Sequence, residues 1–294
     1  MTRDELGNLS ATLDTENQLD LTITIEGKEF HLGYSRLDKF MGCPSNYKRT
    51  YVDGVRKPGG VPARRGQAYH GTLEGLLNYK INRDGDLYPW PKTEKFALKN
   101  AANEKLSDAE SHRVVEAVKF YYVEHYPKHQ PVSVEDSFDF TKNGIRYTGR
   151  IDLLNILEPK VLEITDHKFS YDTWADERAH YGVQPIIYQW AWEEELRHRF
   201  PNFSYGGFAY NIIRLFPTPL IQTIRIEPVN QEQSAWWEEQ ITTMAKIMVL
   251  GLYPAFPNAK ACKWCDHKKE CKPCKYKLAI TKTGEEDLME TEDR

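Results

Sequence analysis

The chain has 294 residues, of which 40% are hydrophobic and 28% are charged, and its formal net charge is −4. This composition is typical of a soluble globular protein, and no apolar run approaches the length of a membrane-spanning helix. The slightly acidic balance argues against a protein that coats duplex DNA without sequence preference. No hydrophobic secretory segment opens the chain, so we expect a cytoplasmic protein whose five cysteines form no disulfides.

The first half of the chain is predicted to be mainly helical. We expect disorder in residues 1–20 and then, in order, a hairpin over 21–32 with its turn at Gly27–Lys28, a helix over 35–48 that leads into Cys43, and a helix over 66–79. Residues from about 80 to 130 are mostly helical in pattern, with a break at Tyr88–Pro91. This stretch is predicted to be a helical insertion.

Two strands follow, rich in β-branched and apolar residues, over 145–157 and 161–169. If Leu157 pairs with Val161 across the short turn, Asp152 faces Asp166 with Cβ atoms about 5 Å apart. Arg150 would then face Lys168. Glu163 has odd spacing from Asp166 and is predicted to point to the opposite face of the sheet.

This pair of carboxylates with a neighbouring lysine indicates metal-assisted phosphodiester cleavage. Asp152 and Asp166 would hold Mg²⁺ or Mn²⁺, which prefer oxygen ligands. Lys168 would stabilise negative charge on the attacked phosphate. The alternative interpretation is a surface hairpin with a cross-strand ion pair, because a slip of one residue in the register would remove the match.

The second half of the chain completes an α/β pattern. A helix is expected to begin near Gln184 with Pro185 in its first turn, and the later elements are strands over 203–215 and 220–226 and a helix from the cap Asn230 to about Leu250. The order of elements suits a mixed central sheet flanked by helices. No Walker-type phosphate loop is present, so a motor activity would belong to a separate partner.

The cysteines are clustered late in the chain. Cys262, Cys265 and Cys271 are spaced C-x2-C-x5-C, and Cys43 is the candidate for a fourth ligand. Cys274 could replace Cys271, although the spacing favours Cys271. Four thiolates suit either tetrahedral zinc or an iron–sulfur cluster.

In its motifs the chain resembles the PD-(D/E)XK nuclease superfamily, and within it the RecB-like branch. Asp152 matches the motif aspartate and Asp166–Lys168 matches the (D/E)XK element. Gly66–His70 matches the upstream G-x-x-x-H helix, and Gln184–Tyr188 matches the downstream Q-x-x-x-Y element. The resemblance implies that His70 joins Asp152 and Asp166 as a metal ligand, and that Gln184 and Tyr188 position the substrate.

One early and three late cysteines are similar to the iron–sulfur subgroup of this branch, which includes AddB-type nuclease domains and the CRISPR-associated adaptation nuclease. The resemblance implies a restriction-endonuclease-like core and a 4Fe–4S cluster, with zinc as the runner-up, on ligands Cys43, Cys262, Cys265 and Cys271. The expected organisation is one nuclease domain over 21–280, with a helical insertion at about 80–130, an iron–sulfur segment over 258–275 joined to Cys43, and an acidic tail over 281–294.

The expected function is metal-dependent hydrolysis of DNA, as an exonuclease on single strands or DNA ends, with Mg²⁺ or Mn²⁺ as the cofactor. Arg64 and Arg65 are expected to contact DNA, because they immediately precede the His70 helix. A helicase or recombination protein is an expected partner. The sequence leaves open whether the pathway is CRISPR adaptation, recombination, repair or phage DNA metabolism. It also leaves open the polarity of cleavage and the oligomeric state. The alternative is a cluster-bearing nucleic-acid-binding or assembly subunit with a vestigial nuclease site.

Overall fold

The computed structural model describes residues 24–25, 28–170, 173–215, 220–258, 262–263, 265 and 267–273. The predictions for residues 1–20, for the tail 281–294 and for Cys274 therefore lie outside the described residues. Within them, a mixed five-stranded sheet carries helices on both faces. The predicted fold class, an α/β core with a mixed central sheet flanked by helices, is confirmed.

The N-terminal elements differ from the prediction in two details. They are β1 (Thr24–Ile25), β2 (Lys28–Glu29), α1 (Tyr34–Gly42), α2 (Pro44–Tyr47) and a π-helical turn (Lys48–Val52). Ile25 pairs with Lys28, so Lys28 belongs to a strand and not to the turn. The single helix predicted over 35–48 is interrupted at Cys43, whose backbone is extended. Pro44 explains the break, because a residue before proline is excluded sterically from helical dihedrals.

Three helices pack on one face of the sheet: α3 (Val61–Asn82), which extends the helix predicted over 66–79, and α4 (Trp90–Asn103) and α5 (Asp108–Glu124), which lie in the stretch predicted as a helical insertion. The break predicted at Tyr88–Pro91 falls earlier, because Trp90 and Pro91 already belong to α4. Leu73 and Leu76 of α3 and Val118 of α5 are buried with Leu153 and Ile213 of the sheet. This packing sets the start of α3, and with it His70, over one end of the strands.

The sheet itself consists of β3 (Pro131–Lys142), β4 (Ile145–Glu158), β5 (Val161–Ser170), β6 (Ser204–Arg214) and β7 (Leu220–Ile226), in that order. Strands β5 and β6 run parallel, and the other described neighbours are antiparallel. Strand β3 was not predicted. It turns into β4 at Asn143–Gly144, where both residues have positive φ, as a tight type I′ hairpin requires.

The predicted register of the central hairpin holds over most of its length. Leu153 pairs with Thr165 and Ile156 with Leu162, as pairing across the turn predicts, but beside the turn Glu158 pairs with Val161 through a one-residue shift. Among the described pairs, the ladder ends at Leu153–Thr165. Asp152 and Asp166 are the next residues of the two strands, so they lie where β4 and β5 separate.

Further helices cover the other face of the sheet. They are α6 (Asp176–His180), α7 (Gln184–Ala191), a π-helical turn (Trp192–Leu196), α8 (Arg197–Arg199) and α9 (Gln231–Val249). Trp190 and Ile241 from these helices are buried in one core with Ile164 and Tyr210 of the sheet. Asn230 forms the capping box that its position ahead of α9 predicts. In the part of the chain that is described, no helix is long and apolar enough to cross a membrane.

A group of buried histidines lies where α5 meets the sheet. The His129 ring lies 5.8 Å from that of Tyr121 and 6.0 Å from that of His167. Burial lowers the pKa of His129 from 6.5 to about 4. Burial also lowers the pKa of His125 to about 4. Both imidazoles are therefore neutral in the folded protein at neutral pH.

We expect the protein to lose stability as the pH falls from about 6.5 towards 4. Between these pH values His129 binds a proton in the unfolded chain but stays neutral in the folded protein. The free energy of unfolding therefore decreases as the pH falls. A pKa change from 6.5 to about 4 corresponds to about 3 kcal/mol for one group. Melting temperatures measured across this range should therefore drop towards acid.

The variant His129→Gln should flatten that pH dependence, because glutamine does not titrate. His112→Gln is the matched control, since His112 is exposed on α5 and its replacement should leave the profile unchanged. A profile of His129→Gln as steep as that of the unaltered protein would show that another group causes the acid sensitivity.

Candidate active site

Asp152 occupies the point where β4 and β5 separate. Its Oδ2 accepts a hydrogen bond of 2.8 Å from the backbone N–H of His167, a donor just beyond the end of the β4–β5 ladder. The same oxygen lies 3.2 Å from Nδ1 of His70 on α3. Oδ2 of Asp152 thus accepts a hydrogen bond from the backbone N–H beyond the end of the β4–β5 ladder and also links the sheet to α3 through His70.

Glu135 completes a group that could hold a metal ion. One ligand atom each from His70, Glu135 and Asp152 lie within 4.8 Å of one another. Glu135 sits opposite Asp152 in the β3–β4 pairing, between the pairs Val134–Leu153 and Asp136–Ile151. Its φ is +52°, a conformation that costs a residue with a side chain about 1–3 kcal/mol and is concentrated at functional sites.

Sequence reasoning missed Glu135. The candidate ligands were His70, Asp152 and Asp166, and a glutamate in the unpredicted strand β3 carried no motif that marked it. The hairpin signal at Asn143–Gly144 could have placed β3 beside β4. The strained backbone at Glu135 has no counterpart in the sequence.

Asp166 lies beside the possible metal ligands but is held by other partners. Its side chain is 5% exposed and its two oxygens lie 2.7 and 3.0 Å from Nζ of Lys168. Nε2 of Gln184, the first residue of α7, donates to Asp166 Oδ1 over 2.5 Å. The ammonium and amide partners offset part of the free-energy cost of burying this carboxylate. They also fix its position.

The site shifts the pKa values of His70 and Asp152 in opposite directions. Burial acts to lower the pKa of His70, but the charge and hydrogen bond of Asp152 outweigh it and raise that pKa. Burial acts to raise the pKa of Asp152, but His70, His167 and Lys168 lower it to about 2. Asp152 is therefore ionised at neutral pH.

The remaining carboxylates show the opposite behaviour. Burial, with Asp152 as a like-charged neighbour, raises the pKa of Asp166 against the effect of Lys168. Burial and Asp152 also raise the pKa of Glu135. Lys168 keeps a raised pKa in spite of burial, because Asp166 faces it. Carboxylates crowded in this way repel one another, and a cation between them would favour their charged forms.

Two tyrosines support this arrangement from the α1 and α7 side. The Tyr188 hydroxyl donates to the backbone carbonyl of Arg150 over 2.8 Å, which holds β4 next to the site. Nζ of Lys168 lies 5.6 Å from the centre of the Tyr34 ring at the start of α1. The Arg150 guanidinium, which was expected to face Lys168, lies 3.4 Å from Glu135 instead.

The expected DNA contact of Arg65 does not fit the structure, whereas that of Arg64, which is half-buried, stays a prediction. Arg65 is 1% exposed and its Nε lies 3.0 Å from Glu110 of α5. Its guanidinium also lies 5.4 Å from the Phe169 ring. Arg64 donates to the backbone carbonyls of Glu104 and Lys105 at the end of α4. These side chains hold α3 to α4 and α5, and that packing buries Arg65 although the residues before Arg64 at the start of α3 are exposed. Glu163, which is predicted to point to the face of the sheet opposite Asp166, pairs with Arg225 at 2.9 Å and lies apart from the site.

The four cysteines predicted as cluster ligands come together around one cavity. Cys43, Cys262, Cys265 and Cys271 all line it. Burial raises the pKa of the Cys265 thiol, and the three other cysteines add to that effect. An ion pair of 2.5 Å between Arg49 and Glu270 closes the same region. The fold thus brings the break after α1 against the C-terminal segment, although Cys43 and Cys262 are 219 positions apart in the sequence.

Comparisons with known proteins agree with this geometry. The family model described as the PD-(D/E)XK nuclease superfamily matches residues 31–272. No curated protein matches the chain in sequence. Among solved structures, a "putative exonuclease" from Eubacterium rectale is 12% identical, with a TM-score of 0.52 over 86% of this chain and 94% of that one. That likeness concerns the fold alone. The structure of SSO0001 is 13% identical over 81% of this chain and 93% of that one, with a TM-score of 0.33.

Proposed function

The chain belongs to the PD-(D/E)XK nuclease superfamily, and on that premise we propose that it is a divalent-metal-dependent deoxyribonuclease acting as an exonuclease on single strands or DNA ends. The observation that carries the proposal is the meeting of His70, Glu135 and Asp152 beside the Asp166–Lys168 pair. Membership of the superfamily supports nucleic acid as the substrate. The choice of single strands and ends rests on the resemblance to the RecB-like branch.

The residues present fit a divalent cation. Two carboxylates and an imidazole already lie close enough to share one ion, and Asp166 adds a further carboxylate beside them. The imidazole makes Mn²⁺ as suitable as Mg²⁺, since nitrogen is a softer ligand than oxygen. When bound, such an ion acts as a Lewis acid on a phosphate oxygen and lowers the pKa of a coordinated water.

The chain's own groups then have distinct tasks. Lys168 stays protonated and can donate a hydrogen bond to a non-bridging oxygen of the attacked phosphate, where negative charge develops. Asp166 holds the Lys168 ammonium in place, and Gln184 holds Asp166. The His167 N–H fixes the direction of the Asp152 carboxylate. Each group is positioned by a neighbour before substrate binds, which reduces the cost of reorganisation during reaction.

The test is digestion of end-labelled DNA with Mg²⁺, Mn²⁺ or EDTA. The proposal expects metal-dependent release of short products from linear single strands and little cleavage of closed circles. Labels at either end report the polarity in the same experiment. Binding of DNA without cleavage in any metal would instead support the alternative of a binding or assembly subunit with a vestigial site, and would end the enzymatic proposal.

Glu135→Gln tests the ligand that sequence analysis did not find. Removing one charged ligand should raise the metal concentration for half-maximal cleavage by about 10- to 100-fold, with a smaller effect at saturating metal. Glu94→Gln is the matched control, because Glu94 is an exposed carboxylate on α4 of the same protein. An unchanged metal titration for Glu135→Gln would remove Glu135 from the proposed ligand set.

We further propose that Cys43, Cys262, Cys265 and Cys271 hold a 4Fe–4S cluster, with zinc as the alternative. The shared cavity supports a common ligand set. The cluster would supply a covalent tie between the segment after α1 and the C-terminal segment. Broad visible absorbance with bound iron and sulfide is expected; a colourless protein with one stoichiometric zinc would overturn the iron–sulfur assignment.

A further inference from the structure

A second candidate site lies away from the metal ligands, between α1 and the segment after the first π-helical turn. It is a cavity, which we call the basic cavity, lined by Lys39, Thr50, Tyr51, Val55, Arg56 and Lys57. Three of these residues are cations, two carry hydroxyl groups and none is a carboxylate. Such a lining has the chemistry of an anion site.

The aromatic ring of Tyr51 contacts Arg56 of the basic cavity and a further cation, Arg36 of α1, which is not part of the lining. The guanidinium carbons of Arg36 and Arg56 lie 5.0 and 5.3 Å from the centre of this ring. Arg36 also donates to the His31 backbone carbonyl over 3.1 Å, which fixes its direction. Cation–π contacts of this kind favour a defined placement of the positive charges.

The local backbone brings the cations together. Gly54 has a φ of +70°, and the Val55 N–H donates to the Arg49 carbonyl over 2.9 Å, so the chain folds back after the π-helical turn. Arg56 and Lys57 thereby reach the same cavity as Lys39 of α1. Gathering like charges is unfavourable for the protein alone and becomes favourable when an anion binds among them.

Helix α1 connects the basic cavity to the candidate active site. Tyr34, at its first turn, lies under the Lys168 ammonium. Lys39 follows five residues later, about 7.5 Å along the helix axis. Arg36 and Lys39 are three residues apart and share a helix face. Helix α1 therefore carries both a residue beside Lys168 and a residue that lines the basic cavity.

We propose that the basic cavity binds a phosphate group of the same nucleic-acid strand whose scissile bond lies at the candidate active site. The subsite is non-catalytic: it holds the strand backbone through Arg56, Lys57 and Lys39 and so sets the strand's path along α1. This inference rests on the proposed function for the identity of the ligand. The chemistry that it requires is only that of a phosphodiester anion.

The test measures binding separately from cleavage. The double variant Arg56→Ala/Lys57→Ala is placed in an Asp166→Asn background, and its affinity for a labelled single-stranded oligonucleotide is followed by fluorescence anisotropy in EDTA over a series of salt concentrations. Loss of two phosphate contacts should lower the slope of log affinity against log salt by about 1.4 and weaken binding by about tenfold at moderate salt.

Lys95→Ala/Lys99→Ala on α4 is the matched control, because it removes the same charge from two exposed lysines of the helical insertion. Equal affinity and salt slope for the two double variants would overturn the proposal. If inorganic pyrophosphate binds the unaltered protein and not Arg56→Ala/Lys57→Ala, while oligonucleotide affinity is the same for both, the cavity is a small-anion site and the strand assignment fails. Because no cleavage is measured, failure of the nuclease proposal would appear only in the digestion experiment.

Discussion

Asp166→Asn is expected to reduce DNA cleavage by about a thousandfold or more while leaving the fold intact. The substitution keeps the size of the side chain and removes its charge, so Lys168 loses its ion-pair partner and the site loses one carboxylate. Removing a single group that stabilises developing charge costs about 10²–10³ in rate, and removing an organising carboxylate acts on both the metal and the lysine.

The structure explains why Asp166 should have a larger effect than its neighbours. It is the common partner of Lys168 and Gln184, at 2.7 and 2.5 Å. Lys168→Ala removes one donor and should reduce cleavage by about 10²–10³-fold. Asp166→Asn disturbs the ammonium, the amide and the nearby metal ligands together, and effects of groups that act as a unit are not additive.

The measurement is single-turnover cleavage of end-labelled DNA at saturating metal, with melting temperature and visible absorbance recorded for the same samples. Asp86→Asn makes the same chemical change in an exposed loop after α3 and should cleave at the unaltered rate. Cleavage by Asp166→Asn within tenfold of the unaltered protein, after rigorous removal of contaminating nucleases, would defeat the assignment of this site.

Cys265→Ala is expected to lose the cluster and a large part of the thermal stability. A cluster that ties Cys43 to Cys265 closes a loop of about 220 residues, and a cross-link over such a length restricts the unfolded chain by up to about 5 kcal/mol. Net stabilities of proteins are themselves about 5–15 kcal/mol. The variant should therefore be poorly folded or soluble only at low temperature.

Visible absorbance, iron and zinc content and melting temperature are the readouts for this variant. Ser45→Ala is the control, because Ser45 lines the same cavity and is not a proposed ligand. Cys271→Ala and Cys274→Ala decide between the two candidates for the fourth ligand, since only the true ligand should reproduce the loss of absorbance. A colourless Cys265→Ala protein with full thermal stability would contradict the structural role of the cluster.

Local patterns in the sequence predicted much of the fold because each is fixed by near neighbours. The Asn230 cap, the break ahead of Trp90 and the strand pair of β4 and β5 all depend on residues within a few positions of one another. The same reasoning failed at Cys43, where the restriction that Pro44 imposes on the preceding residue was overlooked.

The candidate site was only partly visible in the same way. Motif spacing drew attention to His70, Asp152, Asp166 and Lys168, and the structure brings these residues together. It also adds Glu135 and removes Arg65 from the exposed surface. Neither result follows from the spacing of residues in the sequence. The position of Glu135 depends on the neighbouring strand β3, and the burial of Arg65 depends on the packing of α3 against α5.

The sequence by itself determined most of the helices and strands other than β3, most of the central register and the residue types able to bind metal and phosphate. Only the tertiary structure decided which of them meet: Glu135 with Asp152, Gln184 with Asp166, Cys43 with the late cysteines, and Lys39 with Arg56. The physical reason is the sequence distance over which each kind of interaction acts. Backbone propensities and side-chain periodicity act over a few residues, whereas burial and charge compensation act between segments that the fold alone makes adjacent.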